Sequence, residues 1–263
     1  VTVKNYISNS GALNMTGGSI DSYITSSGTA TLTGVTSTSY IEAKGATTLD
    51  GVTCTTLRVD SDADVSTGEG GVTLTGEEAI CLQNFSGNVA TLLNSFAWST
   101  EAEGAYIGIT GTLGDSTFTA LPETLAGGYK VLLNSDVTIA AGKTVTLEEG
   151  VCWQLLKTTS YSRSLDVNGT LVVDNETVAD ALVELSGSPY LYINNGGKVQ
   201  LTNANVKGFY DIRTQSGGTF EMTGGTLDTQ SNLTVNSGGE ATLTGVTVKN
   251  YISNSGALNM TGG

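Results

Sequence analysis

The acidic residues at positions 60–64 are the first place in this sequence where metal chemistry is worth seeking. Asp60, Asp62 and Asp64 alternate with small residues, and oxygen ligands at alternate positions are typical of the start of a calcium-binding loop. Such a loop also needs a glycine in its turn and a glutamate at its twelfth position, where this chain has Val65 and Gly71. In an extended strand the three carboxylates would share one solvated face. Calcium therefore stays an open alternative, and no metal ligand is assigned.

Catalytic side chains are scarce. The chain has no histidine, which excludes Ser-His-Asp triads, Cys-His pairs and the usual zinc sites. Cleavage of a polysaccharide by a pair of carboxyl groups needs them at a fixed separation, but the acidic residues are scattered and Arg58, Arg163 and Arg213 stand isolated in the sequence. We therefore predict that the protein is not an enzyme and holds no cofactor.

Three cysteines, Cys54, Cys81 and Cys152, are too few for a disulfide framework and lack metal-binding spacing. We predict small buried thiols, with one bridge and one odd thiol as the alternative.

Other local motifs have ordinary explanations. Tyr6, Tyr23 and Tyr40 recur at a constant offset of 17, either as an exposed stripe for stacking on glycans or as a half-buried ladder of mutually supporting rings, which we favour. Residues 121–125 (LPETL) resemble a sortase signal but lack its final glycine, so a turn is expected. Asn-x-Ser/Thr sites are expected by chance in a chain with 41 threonines; they start at Asn14, Asn84, Asn168, Asn175, Asn232 and Asn259.

The composition and the net charge limit the possible fold classes and the possible kinds of partner. The 263 residues include 35 glycines and 41 threonines, both poor helix formers. A formal charge of −14 argues against a nucleic-acid partner. No run of 18 apolar residues exists, so we expect no membrane insertion. The chain begins at Val1 with no leader pattern, which suggests a mature chain or an excerpt.

Two nested repeats organise the chain. Residues 1–18 (VTVKNYISNSGALNMTGG) return unchanged as residues 246–263, at an offset of 245. We interpret this as a window cut from an array of 245-residue copies; the alternative is one subunit that carries the same segment at both ends.

A shorter repeat lies inside the long one. Aligned glycines recur at offsets of 17 and 21, and apolar residues alternate around them. The glycines that define the columns are Gly11, Gly28, Gly45, Gly197, Gly218, Gly239 and Gly256. Alternation predicts short strands with one buried face. Strands that recur in register without hairpin turns are explained most simply by a coil, in which each strand pairs with its equivalents in the neighbouring coils.

The later part of the chain resembles a known family. Residues 136–151 (DVTIAAGKTVTLEEGV) and 164–173 (SLDVNGTLVV) resemble the opening coils of right-handed parallel β-helices in bacterial secreted and surface proteins. Residues 217–245 (GGTFEMTGGTLDTQSNLTVNSGGEATLTG) are similar to repeats of autotransporter passenger domains and adhesins. The resemblance implies an all-β fold and a protein that is secreted or exposed on the cell surface. The fold it implies is a right-handed parallel β-helix (β-solenoid), and the shorter repeat sets each coil at about 17–21 residues.

These observations give one set of expectations. We predict β-solenoid coils over 1–76 and 128–263, separated by an irregular segment over 77–127 in which residues 95–103 form a short helix or a loop. The predicted function is that of a structural repeat in an extracellular filament, stalk or giant surface protein, extended head to tail by further copies. An adhesin that binds glycan or a host protein is the alternative, and a polysaccharide-cleaving enzyme comes third. The residues predicted to mediate self-association are Val1, Val3, Leu13, Met15, Val246, Val248, Leu258 and Met260.

Overall fold

The computed structural model describes residues 1–120, 128–133, 136–156 and 164–263. Residues 121–125 and Arg163, named above, lie outside these ranges. Within the described residues the chain forms two compact units. Unit 1 contains residues 1–85 and 89–109, and unit 2 contains residues 86–88, 110–120 and the described residues from 128 onward.

Short strands dominate the first part of the chain. They are β1 (Thr2–Val3), β2 (Ile7–Asn9), β3 (Ala12–Thr16), β4 (Ser19–Ile20), β5 (Ile24–Ser26), β6 (Thr29–Thr33), β7 (Thr36–Ser37), β8 (Ile41–Ala43), β9 (Thr47–Asp50), β10 (Val52–Cys54), β11 (Leu57–Asp60), β12 (Val65–Thr67), β13 (Val72–Leu74) and β14 (Glu78–Gln83).

The rest of the chain adds one short helix and longer strands. These are β15 (Gly87–Asn88), α1 (Val89–Asn94), β16 (Trp98–Thr100), β17 (Tyr106–Leu113), β18 (Ser116–Phe118), β19 (Tyr129–Leu132), β20 (Val137–Ile139), β21 (Thr144–Leu147), β22 (Trp153–Leu156), β23 (Ser164–Val167), β24 (Thr170–Ser186), β25 (Tyr190–Ile193), β26 (Lys198–Lys207), β27 (Asp211–Thr214), β28 (Thr219–Asp228), β29 (Asn232–Val235), β30 (Glu240–Thr244), β31 (Thr247–Val248), β32 (Tyr251–Asn254) and β33 (Ala257–Thr261).

Unit 1 is a three-sided parallel coil. Every third strand joins the same sheet, as in the series β1, β4, β7, β10, β13 and the series β3, β6, β9, β12. Paired residues in the first two coils are Thr2 with Ser19, Ile7 with Ile24 and Ala12 with Thr29, each at an offset of 17. The spacing that the sequence repeats is therefore the register of the sheets.

Unit 2 uses the same parallel pairing with longer, bent strands. Strand β24 pairs with β21 through its first residues and with β22 through its last ones, so it turns a corner of the coil as one strand. Strands β26 and β28 continue the same arrangement. A second sheet stacks β20, β23, β25, β27, β29 and β32 in register.

The predicted all-β, parallel β-helix fold is confirmed in both units, because the described strands pair in parallel with their equivalents in the next coil. Alternate residues point inward, and Ile24, Ile41 and Leu57 stack as one fully buried column of unit 1. In unit 2 the core contains Phe118, which packs edge-on against Trp153 with ring centroids 5.2 Å apart.

The segment over 77–127 contains regular structure in its described part. Strand β14 pairs with β11, and β16 pairs with β13. Of the two alternatives for residues 95–103, the helix is wrong, because α1 ends at Asn94, and the loop is interrupted by strand β16 over residues 98–100. The β-branched and aromatic residues of that stretch favour pairing with the open edge of β13. The limits of the irregular segment stay a prediction.

Close stacking of coils explains the Gly11, Gly28 and Gly45 column and gives a first test. A Cβ atom added at Gly28 would overlap the backbone carbonyl of Gly11, and one at Gly45 would lie 2.5 Å from the carbonyl oxygen of Gly28. Because backbone must move to admit the methyl group, Gly28→Ala should lower the free energy of unfolding by about 2–4 kcal/mol. Urea denaturation measures the loss. Gly11→Ala is the matched control, since nothing lies within 4 Å of a Cβ there, and equal losses in both variants would contradict the explanation.

Candidate self-association site

The repeated segment of residues 1–18 folds into the same coil twice. Strands β1, β2 and β3 in its first copy correspond closely to β31, β32 and β33 in its second. In both copies the same asparagine side chain closes the corner: Asn9 Oδ1 accepts a hydrogen bond from the Gly11 amide, and Asn254 Oδ1 accepts one from the Gly256 amide, each at 3.1 Å. The coil is thus a property of the segment, independent of which end it occupies.

The two copies use opposite faces of that coil. The first copy pairs with the residues that follow it, as Ile7 does with Ile24. The second copy pairs with the residues that precede it, as Ile252 does with Leu233. Among the described residues, each copy therefore leaves one face without a neighbouring coil, and the backbone groups on that face lack strand partners.

Most of the predicted self-association residues are incompletely buried. Val1 is 91 % exposed and Met260 is 53 % exposed, while Val3, Leu13, Met15, Val248 and Leu258 are half-buried. The positions in register with Leu13 and Met15 one coil further on, Ala30 and Leu32, are buried. Val246 differs from the others, because it is only 4 % exposed and already belongs to the interior. The open faces consequently expose part of an apolar core.

One lysine of the segment makes contacts in both directions. Lys4 Nζ lies 3.0 Å from the carboxylate of Asp21 in the following coil, and Lys249 Nζ lies 3.0 Å from that of Asp228 in the preceding coil. Both pairs are exposed, so each is worth only a few tenths of a kcal/mol. What matters is their position: the same lysine side chain lies within reach of a carboxylate in the following coil in one copy and in the preceding coil in the other.

The asparagine at the corner contacts a neighbouring coil through its side-chain amide in only one of its two copies. Asn9 Nδ2 donates to Ser26 Oγ and to the Thr29 carbonyl of the following coil, both at 2.9 Å. Asn254 Nδ2, its equivalent, has no acceptor within the described residues. The amide that joins two coils at the start of the chain is thus left open at the second copy.

The glycine of the segment is needed at only one of its two positions. At Gly11 an added Cβ would meet nothing within 4 Å, and the backbone φ is not positive. At Gly256 the same atom would overlap the carbonyl oxygens of Asn236 and Gly239 in the preceding coil. The surroundings of Gly11 do not require a glycine, but those of Gly256, the equivalent residue in the second copy, do.

The tyrosine column is a ladder, as favoured from the sequence. Tyr6 stacks on Tyr23 with ring centroids 5.1 Å apart, and Tyr23 stacks on Tyr40 at 4.8 Å, with interplanar angles of 6° and 8°. The guanidinium of Arg58 lies 3.7 Å over the ring of Tyr40. The rings therefore cover one another's faces along the column, although Tyr6 itself is 51 % exposed.

The three aspartates of residues 60–64 do not share a strand face. Asp60 is the last residue of β11, and Asp62 and Asp64 lie between that strand and β12, which begins at Val65. Asp60 Oδ2 accepts a hydrogen bond from Asn84 Nδ2 at 3.2 Å. Within the part of the chain that the structure describes, no three Cys, Asp or Glu side chains are grouped closely enough to hold a metal ion.

Two arginines that look isolated in the sequence have partners in the structure. Arg58 stands in register with Glu42 on one side and Cys81 on the other, and Arg213 bonds to Asp211. The register between neighbouring coils varies, since the offset is 16 from Glu42 to Arg58 and 23 from Arg58 to Cys81. No fixed period in the sequence could therefore have identified these neighbours.

The cysteines are free thiols, and Cys54 and Cys81 are buried, as predicted; Cys152 is partly exposed. Burial raises the pKa of Cys54 to about 12 and that of Cys152 to about 11. The pKa of Cys81 is raised further by burial and by the neighbouring carboxyl of Glu78. Thiols so hard to ionise are poor nucleophiles.

Comparison with protein-family models, with curated proteins and with solved structures gives no match. Among the described residues, no helix has the length and apolar character needed to cross a bilayer.

Glu78 gives a test of the electrostatics beside Arg58. Burial raises the pKa of the Glu78 carboxyl, although Arg58 opposes the shift, and Oε1 lacks a hydrogen-bond partner. The folded state therefore holds this proton at a pH where the unfolded chain releases it, and stability falls as pH rises through that window. Glu78→Gln removes this loss, so relative to the wild type its melting temperature should gain about 2–4 °C on going from pH 4 to pH 7.

Scanning calorimetry at the two pH values measures this effect. Glu77→Gln removes the same charge from an exposed neighbouring position and is the matched control. Equal pH dependence in the two variants would contradict the role given to the burial of Glu78.

Proposed function

We propose that the chain is a structural link of a tandem β-solenoid, in which residues 246–263 of one link are residues 1–18 of the next. The observation that carries this proposal is the complementarity of the two copies. One copy makes the contacts to the preceding coil, the other makes the contacts to the following coil, and no contact of one copy conflicts with those of the other.

In the shared coil, the side chains that lack a contact in one copy of the segment make the contact that the other copy shows. Its lysine lies between Asp228 of one link and Asp21 of the next, and its asparagine amide bridges to Ser26. Its glycine admits the carbonyls of the preceding coil. Its half-buried Leu and Met side chains are covered on both faces, and each buried CH₂ group adds about 0.8 kcal/mol.

A shared coil fits these contacts better than separate subunits that stack end to end. Two stacked copies would place Lys249 of one chain against Lys4 of the next, and like charges directly opposite each other across neighbouring strands are unfavourable. A single polypeptide that continues the long repeat avoids this pair. The proposed partners are therefore further copies of the same sequence, joined head to tail.

The proposed role is mechanical and involves no catalysis. A solenoid of this kind gains length with each coil, at about 4.8 Å per step, and serves as a filament, a stalk or the shaft of a giant surface protein. The resemblance to repeats of secreted and surface proteins supports an extracellular location. The charge of −14 per 263 residues supports the filament role, because a net negative charge discourages lateral aggregation of long objects.

A two-link chain tests the proposal. In a polypeptide with residues 1–245 followed by residues 1–263, the central copy of the repeated segment should be covered on both faces. Hydrogen exchange followed by mass spectrometry distinguishes it, because a peptide from Leu243 of the first link to Ile20 of the second is unique to the junction. Amides of the central copy should exchange at least about 100-fold more slowly than those of the two outer copies.

The same glycine substitution at two places supplies the control. Gly11→Ala in the central copy should lower the melting temperature and abolish the added protection, whereas Gly11→Ala in the first copy should leave both unchanged. Exchange in the central copy as fast as in the outer copies would overturn the proposal.

A further inference from the structure

The outward face of the second sheet of unit 2 carries a group of aromatic, arginine and carboxylate side chains. Two columns run across β23, β25 and β27. The first contains Ser164, Tyr190 and Asp211, and the second contains Asp166, Tyr192 and Arg213. The inward positions between them, Leu165, Leu191 and Ile212, are fully buried. The group is therefore built on a rigid part of the coil.

Asp211 holds Arg213 in place. Although it faces outward, Asp211 is only 2 % exposed. Its carboxylate accepts a hydrogen bond from Arg213 Nε at 2.8 Å and two contacts from Thr234 Oγ1 at 3.0 and 3.1 Å. Because only Nε is used, the two terminal amino groups of the guanidinium have no acceptor within the described residues, and they remain available to a ligand.

Two tyrosine rings lie within 6 Å of the guanidinium. Its Cζ lies 5.1 Å from the ring centroid of Tyr190 and 5.9 Å from that of Tyr192. These two rings are parallel to within 3° at 5.5 Å, and Tyr210 leans on Tyr190 at 54° with centroids 5.2 Å apart. Tyr210 is 39 % exposed, so the rings form an angled corner that is open to solvent, whereas the rings of the Tyr6–Tyr40 ladder are stacked in parallel.

A carboxylate flanks the other side of Tyr192. Asp166 Oδ2 accepts a hydrogen bond from Ser164 Oγ at 2.6 Å, and no described residue donates to Oδ1. Asp166 and Arg213 stand two strands apart in one column, about 10 Å between backbones. Asp166 Oδ1, which can accept a hydrogen bond, and the terminal amino groups of Arg213, which can donate, thus lie on opposite sides of Tyr192.

We propose that this corner of unit 2, formed by Asp166, Tyr190, Tyr192, Tyr210 and Arg213, binds a neutral oligosaccharide. Aromatic surface with a few fixed polar groups is the general form of a small-ligand site. The C–H face of a sugar packs on tyrosine, its hydroxyl oxygens accept from Arg213, and its hydroxyl hydrogens are donated to Asp166. A neutral sugar is favoured over a uronate, because Asp211 already neutralises Arg213 and Asp166 leaves the corner with net negative charge.

Direct binding measurements on the full chain test the proposal. The probes are maltohexaose, cellohexaose and mannohexaose as neutral sugars, and oligogalacturonate as the acidic one, each immobilised on a sensor surface. We expect saturable binding to at least one neutral hexaose, with weaker binding to oligogalacturonate. Arg213→Lys keeps the charge but loses the planar fork, and Tyr210→Ala removes an exposed ring; each should weaken binding at least about tenfold.

Tyr251→Ala is the matched control, because this tyrosine lies on the same sheet, is 77 % exposed and has no contact with Arg213. It should bind as the wild type does. Circular dichroism verifies that each variant is folded. The proposal is overturned if none of the neutral hexaoses saturates, if oligogalacturonate binds more tightly, or if Tyr251→Ala weakens binding as much as Tyr210→Ala. Since the junction experiment depends on neither tyrosine, the two proposals fail independently.

Discussion

The in-register parallel ladder is the interaction on which everything else in this molecule depends. A single coil buries too few side chains to offset the conformational entropy of ordering it, and its backbone groups have no partners inside the coil. Both deficits are met only by the coils on either side. The ladder explains why glycine recurs where carbonyls of one coil approach the next, and why like residues stack in columns. It also makes an uncovered coil the weakest part of either unit.

The in-register pairing of neighbouring coils also determines which parts of the structure can be predicted from the sequence. Because neighbouring coils must be in register, Gly11, Gly28 and Gly45 recur at a constant interval, and the alternating apolar residues around them predict the strands. The tyrosine ladder follows from the same regularity. The duplicated segment is recognisable from identity alone, but its two-sided contacts, such as those of Lys4 and Lys249, exist only in the folded chain.

What could not be read from the sequence lies where the period changes. Arg58 meets Glu42 at an offset of 16 and Cys81 at an offset of 23, and Asp166 meets Tyr192 at an offset of 26, so neither repeat spacing aligns them. Asp60, Asp62 and Asp64 have the alternation of a strand, but the strand ends at Asp60, because local alternation carries no information about where a strand ends. Side chains that face outward are free of the packing constraint that orders the core, and their grouping is set by the local length of each coil.

The strands of each coil run across the direction in which the coils are added, and this has a consequence for tension. A force applied along that direction acts along the hydrogen bonds that join neighbouring coils. These bonds then break one coil at a time. Each released coil would supply roughly 55–60 Å of extended chain in place of the ~5 Å step it had occupied. A link of this design would therefore yield by releasing chain in small steps, absorbing mechanical work at each step before the backbone itself bears the load.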